Sequence, residues 1–444
     1  MQIDCGTEFS IGLKNDSTLW TWGVNGNGQL GNNLASTSEN SPIIVAPTAK
    51  WKHIATGAFH CLAIKNDGTL WTWGLNANGQ LGIGNTTQIN KPTQVGTDTD
   101  WKYVDAGLAH SFAIKNNGTL WGWGLNTNGQ LGIGTNTDSN IPVQIGTGIN
   151  WKTVSCGGLH TLALKSDGTI WSSGFNGNGQ LGLGNITNKN VFNQIGTANN
   201  WKDIKAGTEF SLSLSASGNP FSWGFNGNGQ LGDSTTTQRL SPTIITTGMN
   251  WIKIAAGSSF GYGIAIDSSL WSWGFNFYGQ LGDRSTSQRN FPVLVDSQSN
   301  WLSISAADGA ISSGSIFGHH AIGLKDNENG FCFSGANYTG QGGDGTINNK
   351  NYFSCVQNST EISNETLNSI ELNVFPNPTI SNITINVTQT KNMSFELYNT
   401  LGKKLMEEEI LSENQEIDLS QFQKGMYLLV LKQNLIPVYH FWNI

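Results

Sequence analysis

The chain carries little charge and has no long apolar segment. Charged residues make up 12% of its 444 positions, and arginine occurs only at Arg239, Arg284 and Arg289. No cluster of lysine or arginine is present, which argues against a nucleic acid partner held through its phosphates. No apolar segment reaches the length of a transmembrane helix. We therefore expect neither a transmembrane segment nor a nucleic acid partner.

Motifs that carry catalysis are also scarce. Neither H-E-x-x-H nor a Walker-type loop occurs, so a zinc protease and a P-loop nucleotide site are not indicated. A glycosidase needs paired carboxylates, whereas acids of the propeller repeats recur at predicted hairpin turns, such as Asp67 and Asp167. We expect no catalytic residue, no cofactor and no bound metal ion.

Cysteine is rare, with five residues and no C-x-x-C pair. Cys5 and Cys156 fall at a position that other repeats fill with alanine or threonine, which indicates a small buried side chain. Cys332 and Cys355 belong to one repeat and can pair in an oxidising compartment. The sequence leaves that pairing open.

Tryptophan and glycine are abundant instead, with 17 and 56 residues. Six tryptophans are spaced by 50 residues, at Trp51, Trp101, Trp151, Trp201, Trp251 and Trp301. Each opens a repeat such as WKHIATGAFHCLAIKNDGTLWTWGLNANGQLGIG, and a seventh repeat precedes them without an opening tryptophan. A period near 50 is typical of propellers and solenoids.

Each repeat predicts four short strands. WKHIATG and FHCLAIK are the first two, and the Asn-Asp-Gly before TLWTWG favours a hairpin turn. A glycine-rich loop leads to a fourth strand such as KPTQV (91–95). Four strands suit a propeller blade, and a closed ring leaves fewer exposed edges than a solenoid. We predict an all-β chain with a seven-bladed β-propeller over 1–357, whose recurring tryptophans pack between blades.

The segment GNGQLG (26–31) matches the G-x-G-x-x-G fingerprint of dinucleotide-binding turns. Such a turn opens a helix, but here the polar segment NNLASTSENSP follows without a helical apolar stripe. Asn25, Gly28 and Gln29 recur in all seven repeats, whereas the first glycine does not. We interpret the segment as a tight loop in which the Asn and Gln side chains bond backbone groups.

The run H-x-x-A-I-K-x-D-G-T-L-W-x-W-G-x-N-x-x-G-Q-L-G resembles the repeat of the regulator of chromosome condensation family, over about residues 1–357. This resemblance implies a seven-bladed propeller. The family's namesake is a guanine-nucleotide exchange factor for a nuclear GTPase, and bacterial relatives include secreted propellers that bind proteins. Because the repeat residues of the family are structural, the resemblance predicts the fold rather than the activity.

Residues 370–444 resemble a second family. NVFPNPTISNITINV, FELYNTLGKKLMEEEI and IDLSQFQKGMYLLVLKQN read as strands separated by turns, which predicts a small antiparallel β-sandwich. They look like the C-terminal sorting domain of Bacteroidota proteins exported by the type IX secretion system. The resemblance implies a secreted or cell-surface location, with the secretion machinery as a partner of 370–444. The polar residues 358–369 predict a flexible linker.

Export by this route also needs passage across the inner membrane. The chain begins MQIDCG, without the basic and apolar regions of a signal peptide and without a first opening tryptophan. We therefore expect that the printed start is internal or that the sequence is a fragment.

One repeat position alternates between two flat side chains. Histidine fills it in four repeats and phenylalanine in three: His60, His110, His160 and His320 against Phe9, Phe210 and Phe260. This exchange predicts a buried core histidine with a hydrogen-bonded ring nitrogen rather than a metal ligand.

Candidate partner-binding residues lie where the repeats differ. The first-to-second and third-to-fourth strand loops are predicted to share one face, and repeat seven has about ten extra residues within 307–320. The two variable positions after the loop asparagine are small or polar in repeats one to five and aromatic in repeat six. The candidates are Phe277, Tyr278, Tyr338, Arg239, Arg284, Arg289, Phe317 and His319. Such residues are typical interface anchors, although neutral loop drift explains the same differences.

These features favour a secreted or surface-displayed propeller that binds a protein or glycan without catalysis. Two alternatives are a nucleotide exchange factor for a GTPase, as the family name implies, and a secreted polysaccharide-active enzyme. An external destination and the lack of basic segments count against the first. The placement of the carboxylates at turns counts against the second.

Overall fold

A computed structural model shows an all-β chain. It describes residues 1–444 except 36–37, 247, 296–299, 310, 313–314, 317, 327–329, 358–371, 376–381, 388–392, 400–402, 413, 423–425, 434–435 and 444. The described residues form strands and contain no helix, and hence no helix that could span a membrane.

Residues of the seven repeats form seven four-stranded antiparallel sheets, the blades of the predicted propeller. The first strands are Gln2–Cys5, Trp51–Thr56, Trp101–Ala106, Trp151–Cys156, Trp201–Ala206, Trp251–Ala256 and Trp301–Ala306. The second strands are Phe9–Leu13, His60–Lys65, His110–Lys115, His160–Lys165, Phe210–Ser215, Phe260–Ala265 and His320–Lys325. The third strands are Leu19–Gly23, Leu70–Gly74, Leu120–Gly124, Ile170–Gly174, Pro220–Gly224, Leu270–Gly274 and Gly330–Gly335. The fourth strands are Glu39–Val45, Ile89–Gln94, Ser139–Gln144, Lys189–Gln194, Arg239–Ile244, Arg289–Leu294 and Lys350–Gln357.

The hairpin between the second and third strands is stabilised by its own side chains. In blade 2, Asp67 Oδ1 accepts hydrogen bonds from the Thr69 backbone N–H (3.0 Å) and the Thr69 hydroxyl (2.6 Å). The Thr69 hydroxyl oxygen in turn accepts a hydrogen bond from Trp71 Nε1 at 2.8 Å. Gly68 adopts a φ of 86°, which glycine tolerates best. The N-D-G-T-L-W run thus encodes a self-bonded turn.

The apolar core lies between neighbouring blades. Trp101 of blade 3 is 2% exposed and packs in one cluster with Leu62, Leu70 and Val95 of blade 2. The amino group of Lys115 lies over the Trp101 ring, 4.8 Å from its centroid. A buried tryptophan removes roughly 150–250 Å² of surface from water. The prediction that the recurring tryptophans pack between blades is confirmed.

Blades 1 and 7 close the ring through the same kind of contact. Trp22 of blade 1 stacks on Phe331 of blade 7, with ring centroids 4.6 Å apart. Trp22 Nε1 also donates a hydrogen bond to the Gln341 carbonyl oxygen at 2.9 Å. Every blade consists of one uninterrupted chain segment, so the closure involves no exchange of strands.

The cysteines follow two patterns. Cys332 and Cys355 lie opposite each other on the third and fourth strands of blade 7 and form a disulfide. This result settles the pairing that the sequence left open. Cys5, Cys61 and Cys156 are free and buried, so the small buried side chain predicted for Cys5 and Cys156 is confirmed.

The C-terminal part is a separate small β unit. The chain divides into the compact units Met1–Asn358 and Ser359–Ile444. The strands of the second unit are Leu372–Phe375, Asn382–Val387, Met393–Asn399, Lys404–Glu409, Asn414–Asp418, Met426–Gln433 and Ile436–Asn443. They form two antiparallel sheets, one of three strands and one of four. The predicted linker 358–369 lies outside the described residues, and the predicted domain boundaries remain predictions.

Candidate functional site

The GNGQLG loop is bonded by its asparagine and glutamine side chains. Asn25 Oδ1 accepts a hydrogen bond from the Leu30 backbone N–H at 3.0 Å, and Gln29 Oε1 accepts one from the Asn27 N–H at 2.9 Å. Gly28 and Gly31 adopt φ values of 70° and 67°. The interpretation as a tight loop is confirmed, and the described residues that follow the segment contain no helix.

The same loop joins each blade to the next. The Gln80 carbonyl oxygen of blade 2 accepts hydrogen bonds from Trp123 Nε1 and the Ser111 hydroxyl of blade 3, both at 2.8 Å. The Gly84 backbone N–H donates to the Asn140 carbonyl oxygen, also 2.8 Å away. Equivalent bonds recur around the ring, including the closure between blades 7 and 1. The loop that resembles a nucleotide site is therefore a joint between blades.

The four repeat histidines also bridge blades. Each ring Nε2 lies within hydrogen-bond distance of a hydroxyl group on the next blade: Ser111 for His60, Thr161 for His110, Ser211 for His160 and Ser10 for His320. Burial lowers the pKa of each to about 3. The predicted core histidine with a hydrogen-bonded ring nitrogen is confirmed.

A cluster of half-buried charged residues lies around a cavity formed by the first strands of the blades, and sequence reasoning missed it. A cavity of about 60 Å³ is lined by Asp4, Asp105, Lys205 and Asp308, among others. Burial raises the pKa of Asp105 to about 7, although Lys205 opposes this shift. Burial disfavours the charge on Lys205, but the surrounding acidic groups raise its pKa above the usual value. The sequence did contain a signal for this cluster: one position of the first strand is charged in three repeats, as Asp4, Asp105 and Lys205.

The described ends of the insertion of blade 7 bond to other blades, and Asp308 at its start lines this cavity. The Thr208 hydroxyl of blade 5 accepts a hydrogen bond from the Gly309 N–H at 3.1 Å. The Ser258 hydroxyl of blade 6 donates a hydrogen bond to the Gly318 carbonyl oxygen at 2.7 Å. The Thr7 hydroxyl of blade 1 donates one to the backbone carbonyl oxygen of Asp308 at 3.1 Å. The ends of the insertion therefore bind three other blades.

Four of the candidate partner-binding residues come together on the loop face, and we call them the aromatic patch: Phe277, Tyr278, His319 and Tyr338. Tyr278 stacks on His319 with ring centroids 4.7 Å apart, and Phe277 contacts Tyr278 edge-on at 5.3 Å. Tyr278 also lies 6.4 Å from the Tyr338 ring. The Tyr338 hydroxyl donates a hydrogen bond to Glu8 Oε1 of blade 1 at 2.7 Å. The patch thus extends over blades 6 and 7 and is bonded to blade 1.

The patch exposes aromatic surface that other blades lack. Phe277 is 70% exposed and Tyr338 is 41% exposed. The corresponding positions hold small residues in the first five blades: Gly26, Ala77, Thr127, Gly177 and Gly227. A protein normally buries most of an aromatic ring, so an exposed pair that is held in place marks a candidate contact surface.

The three arginines do not join the patch. Arg239 and Arg289 form ion pairs with Asp233 and Asp283 of their own loops, at 2.7 and 2.8 Å. The Arg284 guanidinium carbon lies 5.7 Å from the ring centroid of Tyr352 on the outer strand of blade 7. The recurring spacing Asp-x₅-Arg was the sequence signal for the two ion pairs. Phe317, the remaining candidate, lies outside the described residues.

One match to the G-x-S-x-G motif of serine hydrolases occurs, in GSSFG (257–261). In hydrolases this serine stands exposed on a turn from a strand to a helix. Here Ser259 is 2% exposed and lies in a loop between two strands of blade 6. The Ser258 hydroxyl is engaged by Gly318. The motif therefore serves the loop and does not form a nucleophile elbow.

Family models match both parts of the chain. The RCC1-like domain matches residues 1–262, and two models of the regulator of chromosome condensation (RCC1) repeat match 251–280 and 267–310. The secretion system C-terminal sorting domain matches residues 373–438. This domain indicates type IX secretion to the cell surface or the extracellular space.

Sequence relatives share only a short segment. The human E3 ubiquitin-protein ligase HERC2 is 39% identical over 88 residues, which is 19% of this chain and 2% of the ligase. The mitochondrial RCC1 domain-containing protein RUG3 of Arabidopsis thaliana is 35% identical over 82 residues, which is 18% of each chain. The chain thus spans a small part of these relatives.

Solved structures share the fold. Human WBSCR16 superimposes with a TM-score of 0.68 at 21% identity, over 77% of this chain and 94% of that one. Yeast RCC1 (Prp20), in its complex with Kap60, gives 0.67 at 19% identity, over 81% and 87%. Because the RCC1-like domain model matches more than half of the chain, this protein belongs to the RCC1-like domain family and carries a secretion system C-terminal sorting domain.

Proposed function

We propose that the protein is a non-catalytic binding propeller that acts at the cell surface or outside the cell. Its aromatic patch binds a protein or glycan ligand, and its C-terminal domain brings it to that location. The observation that carries this proposal is the exposure of Phe277 and Tyr338 at positions where five blades have small residues. Large aromatic side chains held rigidly by neighbours are typical anchors of binding surfaces.

Contacts around the patch hold its aromatic side chains in place before a ligand binds. Tyr278 is held by His319, and Tyr338 is held by Glu8 of another blade. Residues already fixed before binding lose little conformational entropy when a ligand arrives. Partner binding through Arg239 and Arg289 is less favoured, because both are engaged within their own loops.

The two alternatives receive less support. Nucleotide exchange on a GTPase requires a partner inside the cell, whereas the sorting domain indicates an external destination. A polysaccharide-active enzyme requires two carboxyl groups about 5–10 Å apart in an accessible cleft. The acids Asp4, Asp105 and Asp308 instead line a cavity of about 60 Å³, which is too small for a sugar chain.

The test is retention of surface material by the immobilised full chain. Components retained from host or environmental surfaces are identified and then measured with the Phe277→Ala/Tyr278→Ala/Tyr338→Ala variant. We expect affinity to fall at least about tenfold, because central aromatic anchors dominate interface energy. The control variant is Ile141→Ala/Ile186→Ala, which removes exposed apolar side chains of blades 3 and 4. Equal affinity of the triple variant and the parent protein contradicts the proposal.

A further inference from the structure

We propose that the aromatic patch receives a cationic side chain, so that the ligand is a protein or peptide segment exposing arginine or lysine. This inference rests on the proposed function and narrows its ligand class. It joins two independent observations, the charge of the loop face and the geometry around Glu8.

The loop face is acidic. Apart from Asp308, which lines the cavity, its first-to-second and third-to-fourth strand loops contain one basic residue, Arg284, and six acids: Glu8, Asp138, Glu209, Asp233, Asp283 and Asp344. Three of these acids, Asp233, Asp283 and Asp344, form ion pairs with basic residues of the adjoining strands. Their partners are Arg239, Arg289 and Lys350, respectively. Arg284 lies at the outer edge, over Tyr352. The face that carries the patch therefore has an excess of negative charge and favours the approach of cations.

The charge nearest the patch is Glu8. One oxygen of its carboxyl group accepts the hydrogen bond from Tyr338. A carboxylate oxygen has more than one acceptor site, so Glu8 retains capacity for a second donor. Among the described residues, Glu8 forms no ion pair with a lysine or arginine. A ligand cation at this place would supply the missing partner.

Elsewhere in the propeller, aromatic rings already form cation–π contacts with lysine. On the opposite face, Lys14, Lys65 and Lys165 lie over the rings of Trp20, Trp71 and Trp171, at 4.2, 3.4 and 3.9 Å.

In the described part of the chain, no lysine or arginine lies over Phe277, Tyr278 or Tyr338. Exposed aromatic faces beside a carboxylate attract a cation through the ring quadrupole and through Coulomb forces. An arginine side chain suits both interactions, because its planar group stacks on rings and bonds carboxylates.

The probe is a fluorescent octapeptide of alternating glycine and arginine, compared with its citrulline counterpart, which has the same shape without the charge. Binding to the full chain is measured by anisotropy at several salt concentrations. We expect the arginine peptide to bind at least about tenfold more tightly than the citrulline peptide, with affinity decreasing as salt increases.

Two variants locate the effect. Phe277→Ala should weaken binding of the arginine peptide about fivefold, within the range of cation–π contacts. Glu8→Gln keeps an acceptor for Tyr338 but removes the charge, and should weaken binding about threefold and reduce the salt dependence. The controls are Phe291→Ala, an exposed aromatic of the same blade, and Glu408→Gln, an exposed acid of the C-terminal unit. Neither should alter binding.

The inference is overturned if the citrulline peptide binds as well as the arginine peptide, or if Phe277→Ala and Glu8→Gln bind like the parent protein. The proposed function fails separately. If the triple patch variant loses a retained surface component while the arginine peptide does not bind, the patch is a binding site for another ligand class.

Discussion

Four buried histidines and three phenylalanines share one position, and their neighbours on the next blade change with them. Where histidine is present, the facing residue carries a hydroxyl: Ser111, Thr161, Ser211 and Ser10. Where phenylalanine is present, the residue at the same place is Cys61, Gly261 or Ala321. The pairing follows from chemistry, since a buried ring nitrogen needs a partner and a phenyl ring does not.

This pairing predicts a strong coupling between His160 and Ser211. Ser211→Ala should lower the free energy of unfolding by about 1–3 kcal/mol, because it leaves the buried His160 Nε2 without its partner. The double variant His160→Phe/Ser211→Ala reproduces the pair Phe260 and Ala321 and should lose about 1 kcal/mol less than the sum of the single changes. Urea unfolding of the four proteins measures the cycle.

The control for this cycle combines His160→Phe with Ser10→Ala, which lies at a different joint. Those effects should add within about 0.5 kcal/mol, because the two sites share no partner. A coupling of the same size in both cycles would contradict the pairing.

The histidines also predict an acid-sensitive contribution to stability. His160 has a pKa of about 3 when folded, against an ordinary value near 6.5. Below pH 6.5 the unfolded chain therefore binds a proton that the folded chain does not, so the free energy of unfolding decreases as pH falls. The slope is about 1.4 kcal/mol per pH unit for each such histidine.

The measurement compares the parent protein with His160→Phe/Ser211→Ala between pH 7 and pH 4. The parent should lose stability more steeply than the variant by about one histidine's slope. The comparison is needed because Asp4, Asp105 and Asp308 have raised pKa values and shift the dependence in the opposite direction. Parallel curves for the two proteins would contradict the histidine contribution.

Among the structural elements, the loop after the third strand shows what a sequence can and cannot reveal. The roles of Asn25 and Gln29 within the loop were predictable, because both bond backbone groups close to them in the chain. The bonds from Trp123 and Ser111 to the Gln80 carbonyl were not, because a backbone oxygen has no sequence signature and its donors lie on another blade. For the same reason, the sequence predicted that Phe277 and Tyr338 lie on one face of the propeller but not that their side chains belong to one group of contacting rings.

The disulfide between Cys332 and Cys355 links the third strand of blade 7 to its fourth, outermost strand. The two cysteines are separated by 23 positions, and closing a loop of this length is expected to contribute about 3 kcal/mol by restricting the unfolded chain. We therefore expect the Cys332→Ala/Cys355→Ala variant to unfold at lower urea concentration than the parent protein. Added reductant should destabilise the parent alone, since the variant has no disulfide to lose. Equal urea midpoints would show that the bond does not contribute.

At the scale of the whole molecule, the number of blades was predictable from the 50-residue period, because each repeat forms one complete sheet. The central cavity was not, because no motif marks its lining: one first-strand position changes from Asp105 to Ser155 and Lys205 in successive repeats. The small C-terminal unit was predictable as antiparallel strands from its alternating pattern and turn residues.

Sorting of the whole chain is expected to depend on its C-terminal domain. Placed behind the same inner-membrane export signal in a strain with type IX secretion, the full chain should reach the cell surface or medium. A chain ending at residue 369 should remain inside the outer membrane, because it lacks the sorting domain. Fractionation with antibodies to the propeller measures both, and a strain without the secretion system is the control. Recovery of only uncleaved full chain in the cytoplasm would contradict the sorting assignment.

The closure of the ring by uninterrupted blades has a consequence for how such a protein can change over evolutionary time. Every joint uses the carbonyl oxygen of the loop glutamine, which binds an indole N–H in five joints, including that between Trp22 and Gln341, and the hydroxyl of Ser173 or Ser334 in the other two. A duplicated or lost repeat would therefore meet its new neighbours with a complementary surface already in place. Copying whole units would then change the circumference of the ring, while the short variable loops on one face could diversify separately.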